Sequence, residues 1–224
     1  MKIPEEQDRL SWVHASNDIS ELAGRYDNWA DQYDRDTEAA GYRMAHINSM
    51  LTCRWVWPKE GPLLDAGVGT GKLAELLSPL GYKDIVGIDI SAGMLAAADK
   101  KGIYTDLRKM AISDRMDFPD NHFSAFNVTT VLRIVHMPTT SLDELIRVTK
   151  SGGVGIFSIE EEINTVTDSY DRERNPVAIS GFRERMDLLE REGKWEQMEV
   201  TDFFQAMPFM DSKITRRFFV YKIS

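Results

Sequence analysis

Cysteine is all but missing from this chain: Cys53 is the single one in 224 residues. One thiol cannot form an intrachain disulfide, so a reducing, cytoplasmic setting is the expectation. Long hydrophobic runs are missing too. No stretch approaches the ~18 to 20 apolar residues that cross a bilayer, so no membrane partner is expected. The charged segment Met1 to Leu10 has no apolar centre of the kind a secretory signal needs. Positive charge is in short supply, with 27 Lys plus Arg against 36 Asp plus Glu and a net charge of −9. Such an excess repels phosphate backbones, and Arg216-Arg217 is too short a basic patch to reverse it, so nucleic acid is not an expected partner. Repeats and low-complexity tracts are absent. What is present is ordinary: 42% hydrophobic and 28% charged residues, the make-up of a soluble globular chain. Its length fits one domain better than two.

Periodicity divides the chain in two. In the first part, Leu22, Tyr26, Trp29 and Tyr33 follow helical spacing from Ile19 to Tyr33 and share one aromatic face. A second helix is predicted from Tyr42 to Cys53, ended by Trp57-Pro58. Residues 1–58 therefore read as a helical arm and lid, and 59–224 as the core. In the core, strands predicted at Pro62–Ala66, Asp84–Ile90, Ile103–Leu107, Phe123–Thr130 and Val154–Ile159 alternate with helices at Lys72–Leu77, Ala92–Lys100 and Thr140–Lys150. A further helix, Phe182–Glu192, precedes two final strands, Trp195–Thr201 and Ile214–Tyr221. Alternation of this kind implies βαβ units and a mostly parallel sheet covered on both faces. The last two strands have no helix between them, which suits an antiparallel pair. The expectation is an open α/β sheet of seven strands, one of them antiparallel.

The most informative stretch is Asp65-Ala66-Gly67-Val68-Gly69-Thr70-Gly71-Lys72, a glycine-rich turn between a strand and a helix. Glycines there permit positive φ and close approach of a ligand to the backbone. The spacing is not that of a dinucleotide fingerprint, because Lys72 stands where the third glycine or alanine belongs. It is not a P-loop either, because Ala66 and Leu73 occupy two required positions. Asp89 ends the second strand, where a carboxylate can accept both hydroxyls of a ribose. Its other reading is a cap for the helix that follows, a task that suits Ser91 better. Turn and acid together predict an adenosine-containing ligand without a diphosphate.

The ordered motifs Asp65 to Gly71, Gly87-Ile88-Asp89, Phe123-Ser124-Ala125 and Lys150-Ser151-Gly152-Gly153 resemble those of class I S-adenosylmethionine-dependent methyltransferases. The stretch Tyr26-Asp27-Asn28-Trp29-Ala30-x-x-Tyr33-Asp34, with Ser91-x-Gly93-Met94-Leu95 and Arg147-Val148-Thr149-Lys150, resembles the methyltransferase-like family first named from the Williams–Beuren syndrome critical region. The resemblance implies a Rossmann-like fold, S-adenosylmethionine as cofactor, S-adenosylhomocysteine as product, and no metal. It implies that Asp65 and the glycines Gly67, Gly69 and Gly71 lie against the methionine and ribose part. It gives the ribose to Asp89, the adenine faces to Ile90 and Met94, the adenine edge to Ala111 and Ile112, and the methionine end to Val128 and Thr129. Tyr26, Trp29 and Tyr33 would close over the cofactor. Their aromatic faces would gain about 0.5 to 2 kcal/mol from a nearby sulfonium; plain core packing is the other reading of that stripe.

Methyl transfer from a sulfonium needs a positioned nucleophile and a dry site, not a triad. Substrate contacts are expected after the fourth and fifth strands, from Thr130, Arg133 and Glu161, with Phe204 and Phe209 in the last loop. His136 is the candidate general base, or else a surface histidine. Glu160 is the candidate catalytic carboxylate, within a Glu160-Glu161-Glu162 run that would attract a cationic amine or would simply be a solvated loop. The expected activity is methylation of a small molecule, with an amine nitrogen favoured, by a monomer or homodimer. The alternatives are a non-catalytic cofactor-binding regulatory module and a protein methyltransferase.

Overall fold

The computed structural model describes residues 9–16, 18–113, 115–132, 137–160, 176–209 and 215–224. Three helices come first: α1 (Arg9–His14), α2 (Ile19–Ala39) and α3 (Met44–Trp55). Asp18 caps α2 by accepting from the Glu21 amide at 2.8 Å. The helix then runs past Tyr33, because nothing in Asp34 to Ala39 breaks it; Gly41 at φ +75° follows its end. The core begins with β1 (Leu63–Ala66), α4 (Lys72–Leu77), β2 (Ile85–Asp89), α5 (Ala92–Asp99), β3 (Asp106–Lys109) and β4 (Phe123–Leu132). It continues with α6 (Ser141–Val148), β5 (Thr149–Glu160), α7 (Pro176–Arg191), β6 (Trp195–Val200), β7 (Phe204–Gln205) and β8 (Thr215–Ile223).

The sheet order is β3-β2-β1-β4-β5-β8-β6, with β7 beside β8. Strands β1 to β5 pair in parallel, and β8 runs antiparallel to its neighbours β5, β6 and β7. This is a Rossmann-like α/β sheet of the expected kind, with the two-residue β7 as an added eighth strand. Two boundaries differ from the sequence reading. The third strand starts at Asp106, three residues late. The helix α6 stops at Val148, before the glycines, and Thr149 already opens β5 with extended backbone. Gly152-Gly153 thus sits in a register shift of β5 against β4. A Cβ on Gly153 would lie 2.7 Å from the Ser124 carbonyl oxygen.

Alternation along each strand sends side chains to two cores. Leu64, Val86, Phe126, Phe157 and Phe219 pack with Leu142, Leu145, Phe182 and Met186 of α6 and α7. Leu63, Ile85, Ala125, Ile156 and Phe218 pack with Met44 and Leu51 of α3 and Leu73 and Leu77 of α4. With both faces covered, the open edge lies at the carboxyl ends of the strands. Strand order reverses between β1 and β4, the place where open α/β sheets bind ligands.

Candidate active site

A cavity opens at that place. It holds about 1090 Å³ of empty space, its open mouth included. Its floor is the turn after β1. Gly67, Gly69 and Gly71 have φ of +84°, +54° and +85°, the left-handed region that side chains resist. Gly67 and Val68 donate to the Ile88 carbonyl at 2.8 and 3.0 Å, which ties the turn to β2. A Cβ on Gly67 would fall 2.2 Å from Val131 Cγ2, whereas one on Gly69 would meet nothing within 4 Å. Gly69 therefore faces open space, and its bare backbone is available to a ligand.

Two carboxylates stand in the cavity wall. Asp89 accepts from the Gly69 amide on one oxygen and from the Ser91 amide on the other, both at 2.9 Å. Burial holds its carboxyl above the usual range, and these amide bonds offset part of the rise. Ser91, not Asp89, caps α5, accepting from the Met94 amide at 3.0 Å. Asp65 accepts from the Tyr104 hydroxyl at 2.7 Å. Its carboxyl is pushed up to about 7, chiefly by burial, with Asp89 adding to the rise and Tyr104 opposing it. Two desolvated acids beside one cavity favour a ligand that carries positive charge.

The helix α2 covers the glycine turn. Asp27 accepts from Ser91 Oγ at 2.6 Å and from the Gly93 amide at 2.8 Å. Seven residues on, and so on the same face, Asp34 accepts from Thr70 Oγ1 and lies 3.5 Å from Lys101 Nζ. Lys72 adds a bond to Glu38 at 2.9 Å. Gly93 is what lets α2 come so close, since a Cβ there would lie 2.9 Å from Asp27 Cα.

Most of the expected cofactor residues meet here. Tyr26, Tyr33, Asp65, Gly67, Gly69, Asp89, Ile90, Met94, Ala111, Ile112 and Thr129 all line the cavity, as does Thr130, expected as a substrate contact. Several others do not. Trp29 lies behind the tyrosines, its ring centroid 4.8 Å from that of Tyr33, and its indole donates to Asp36 at 2.8 Å. Gly71 caps α4 and packs against Tyr104 and Ala98. Val128 is buried in the core between the sheet and α6. Phe204 stacks on Phe218, their centroids 6.2 Å apart, and the exposed Phe209 packs on Gly41. Arg133, His136, Glu161 and Glu162 lie outside the described residues, as does the side chain of Glu160. Tyr42, Ala45 and Met110 line the cavity without having been singled out in the sequence. Tyr42 was legible only as the start of a helix, and no motif marks it. Among the described residues, no group of three or more His, Cys, Asp or Glu is placed to hold a metal, and no helix is long and apolar enough to cross a membrane.

Residues 64–157 match the methyltransferase domain family. Over 197 residues the chain is 29% identical to methyltransferase-like protein 27 of Homo sapiens, covering 87% of this chain and 76% of that protein. Over 136 residues it is 31% identical to a demethylmenaquinone methyltransferase of Clavibacter sepedonicus, covering 59% of this chain and 55% of that one. Among solved structures, that of the [4+2]-cyclase SpnF superposes with a TM-score of 0.68 at 15% identity, covering 93% of this chain and 97% of that one. The domain match, the methyltransferase-like relative and the strand order agree: residues 64–157 form a methyltransferase domain, and the chain is similar to methyltransferases over most of its length.

Proposed function

We propose that the cavity holds S-adenosylmethionine and presents its methyl group to a small-molecule acceptor. The carrying observation is Asp89. Its two oxygens accept the Gly69 and Ser91 amides, which hold the carboxylate at the tip of β2 in the cavity wall, where it can also accept from a ribose hydroxyl. The rest of the lining suits the remainder of the cofactor. Ile90, Met94, Ala111 and Ile112 make an apolar slot for the adenine at the β2 and β3 end. The turn at Gly67 and the bare Gly69 backbone, with Asp65 beside it and Thr129 at the tip of β4, take the methionine part. Tyr26 and Tyr33 supply aromatic faces from α2, so this helix acts as a lid.

When bound, the cofactor supplies an electrophilic methyl carbon on a sulfonium. The residues of this chain orient it, exclude water and leave room for an acceptor held roughly 3 to 3.5 Å from that carbon. A fold of this kind does not by itself specify methyl transfer, as the superposed cyclase illustrates. A small-molecule acceptor is supported by the concave cavity under α2 and by relatives named for methylating demethylmenaquinone. The expectation of an amine rested on Glu160 and its neighbours, and the described lining adds nothing in its favour. The same reading gives a cytoplasmic enzyme, monomeric or homodimeric.

Calorimetry with S-adenosylhomocysteine, followed by a labelled-donor assay on metabolite extract with mass spectrometry of the products, tests the proposal. Binding and a labelled small-molecule product are expected. Binding without transfer to any small molecule or protein would leave the regulatory-module reading in its place.

A further inference from the structure

The sheet face beneath α3 is not wholly apolar. Alternation along β4 puts Asn127 and Thr129 on the same face as Ala125, which packs in the cluster with Met44 and Leu51 of α3. Facing them, Asn48 and Thr52 lie one turn apart on α3, both fully buried. Buried amides and hydroxyls cost stability unless they are bonded, and here they bond one another. Asn48 Nδ2 donates to Thr129 Oγ1 at 2.7 Å. The Thr52 hydroxyl has three acceptors in reach: the Asn48 backbone carbonyl at 2.9 Å, the Asn48 side-chain carbonyl at 3.2 Å and that of Asn127 at 3.0 Å. The acceptor side of the Asn48 amide thus faces a hydroxyl, and its donor side faces Thr129.

Thr129 is the member of this group that lines the cavity. Regular pairing of β4 with β5 ends at Val128 and resumes at Leu132, and Thr130 in this bulge has φ of +61°. The strand ladder therefore does not by itself fix Thr129, and Asn48 supplies the missing restraint. Because Thr129 Oγ1 accepts from Asn48, its own proton is left to donate. Among the described residues no acceptor takes that proton, so it is offered to the cavity. A donor suits the oxygen of an anion. Asp65, the cross-strand partner of Asn127, lines the same cavity and suits a cation. An acid and a hydroxyl proton on adjacent strands fit the two ends of a zwitterion.

The cofactor has such a group. With its adenine at the β2 and β3 end and its ribose at Asp89, its amino-acid tail extends toward β1 and β4. Resting on that reading of the cavity, we propose that Asn48 is a positioning residue for the tail: it holds the Thr129 hydroxyl with its proton turned to the tail's carboxylate, while Asp65 faces the ammonium. Helix α3, which lies ahead of the methyltransferase domain, thereby takes a share in choosing the ligand. It favours S-adenosyl ligands with an intact amino-acid tail over nucleoside thioethers that lack one.

Calorimetry on the full chain with two ligands tests this: S-adenosylhomocysteine, and 5′-methylthioadenosine, a nucleoside thioether without the amino-acid tail. Thr129→Val keeps the branched shape and removes the donor; Asn48→Ala keeps the donor and frees it to turn. S-adenosylhomocysteine affinity is expected to fall about 10-fold in Thr129→Val and ~3- to 5-fold in Asn48→Ala, with 5′-methylthioadenosine within about twofold of wild type in both. In the double variant, Asn48→Ala should add less than about twofold to the loss from Thr129→Val, because no hydroxyl is left to orient. Asn48→Leu, which fills similar space, takes the place of Asn48→Ala if the latter does not fold. Equal losses for the two ligands, additive losses in the double variant, or unchanged S-adenosylhomocysteine affinity in either single variant would each overturn the role of Asn48. A wild type that binds 5′-methylthioadenosine as tightly as S-adenosylhomocysteine would also overturn it and leave the adenosine site standing. A wild type that binds neither overturns the cofactor reading, and this proposal with it.

Discussion

Asp89 Oδ2 accepts the Gly69 amide at 2.9 Å, a bond that joins the tip of β2 to the glycine turn after β1. The carboxylate therefore shapes the floor of the cavity as well as facing into it. Asp89→Ala is expected to lower affinity for S-adenosylhomocysteine at least ~10-fold, because charge-assisted bonds of about 1.5 to 3 kcal/mol each are lost. Unchanged calorimetric affinity in this variant refutes the ribose assignment.

The second carboxylate gives the site a pH dependence. Asp65 titrates at about 7 in the free chain because burial outweighs its bond from Tyr104. A cationic ligand favours the ionised form and lowers that value, so binding releases a proton below neutrality. Affinity for S-adenosylmethionine should then rise with pH up to about 7 and level off above it. Asp65→Asn should flatten the profile. Calorimetry in buffers of different ionisation enthalpy reads the proton release directly, and a flat wild-type profile between about pH 5 and 8 contradicts the assignment.

The same shift has a cost in stability, and its sign is fixed. The folded value lies above the ordinary 3.8, so the unfolded chain gives up its proton first as pH rises. The contribution is complete below about 4 and is lost as pH climbs to about 7. Asp65→Asn, which can still accept from Tyr104, is therefore expected to raise the melting temperature of the ligand-free chain at about pH 8 while weakening cofactor binding. Thermal melts with and without S-adenosylhomocysteine separate the two effects. A variant less stable than wild type at that pH contradicts the account.

The helix α2 is held by its acids. Asp27 bonds Ser91 Oγ and the Gly93 amide at the start of α5, and removing a bond of this type at a helix N-terminus costs about 1 kcal/mol. Asp27→Ala should loosen α2 and speed cofactor dissociation ~5-fold or more, with the sheet core unaffected. Stopped-flow release of S-adenosylhomocysteine is the measurement. A release rate equal to wild type would show that α2 does not gate the cavity.

Much of this was legible in the sequence, for a physical reason. Parallel strands buried on both faces read as short apolar runs, and glycines at positive φ have no substitute, so β1, its turn and Asp89 stand out. Tyr26 and Tyr33 were found because helical spacing is regular. Trp29 shares their stripe, yet its indole N–H is drawn to Asp36 two turns further along, a preference that spacing alone does not reveal. Tyr42 and the left-handed Thr130 depend on a β4 bulge and on packing against α3, which are long-range relationships with no local signature. Two-residue β7 exists only because β8 offers it an edge.

Gly67 supplies a test of the turn that includes its own control. Its φ of +84° resists any side chain, and an added Cβ would lie 2.2 Å from Val131 Cγ2. Gly67→Ala should therefore both strain the turn, by about 1 to 2 kcal/mol, and force Val131 into the cavity. Val131→Ala removes Cγ2 and leaves Val131 Cβ as the next neighbour at 3.3 Å, a distance small shifts can absorb. In the double variant, S-adenosylhomocysteine binding should recover most of what Gly67→Ala loses, while the melting temperature stays below that of Val131→Ala by the residual backbone strain. Additive losses in binding would mean that the two residues do not meet, and the floor of the cavity would have to be redrawn.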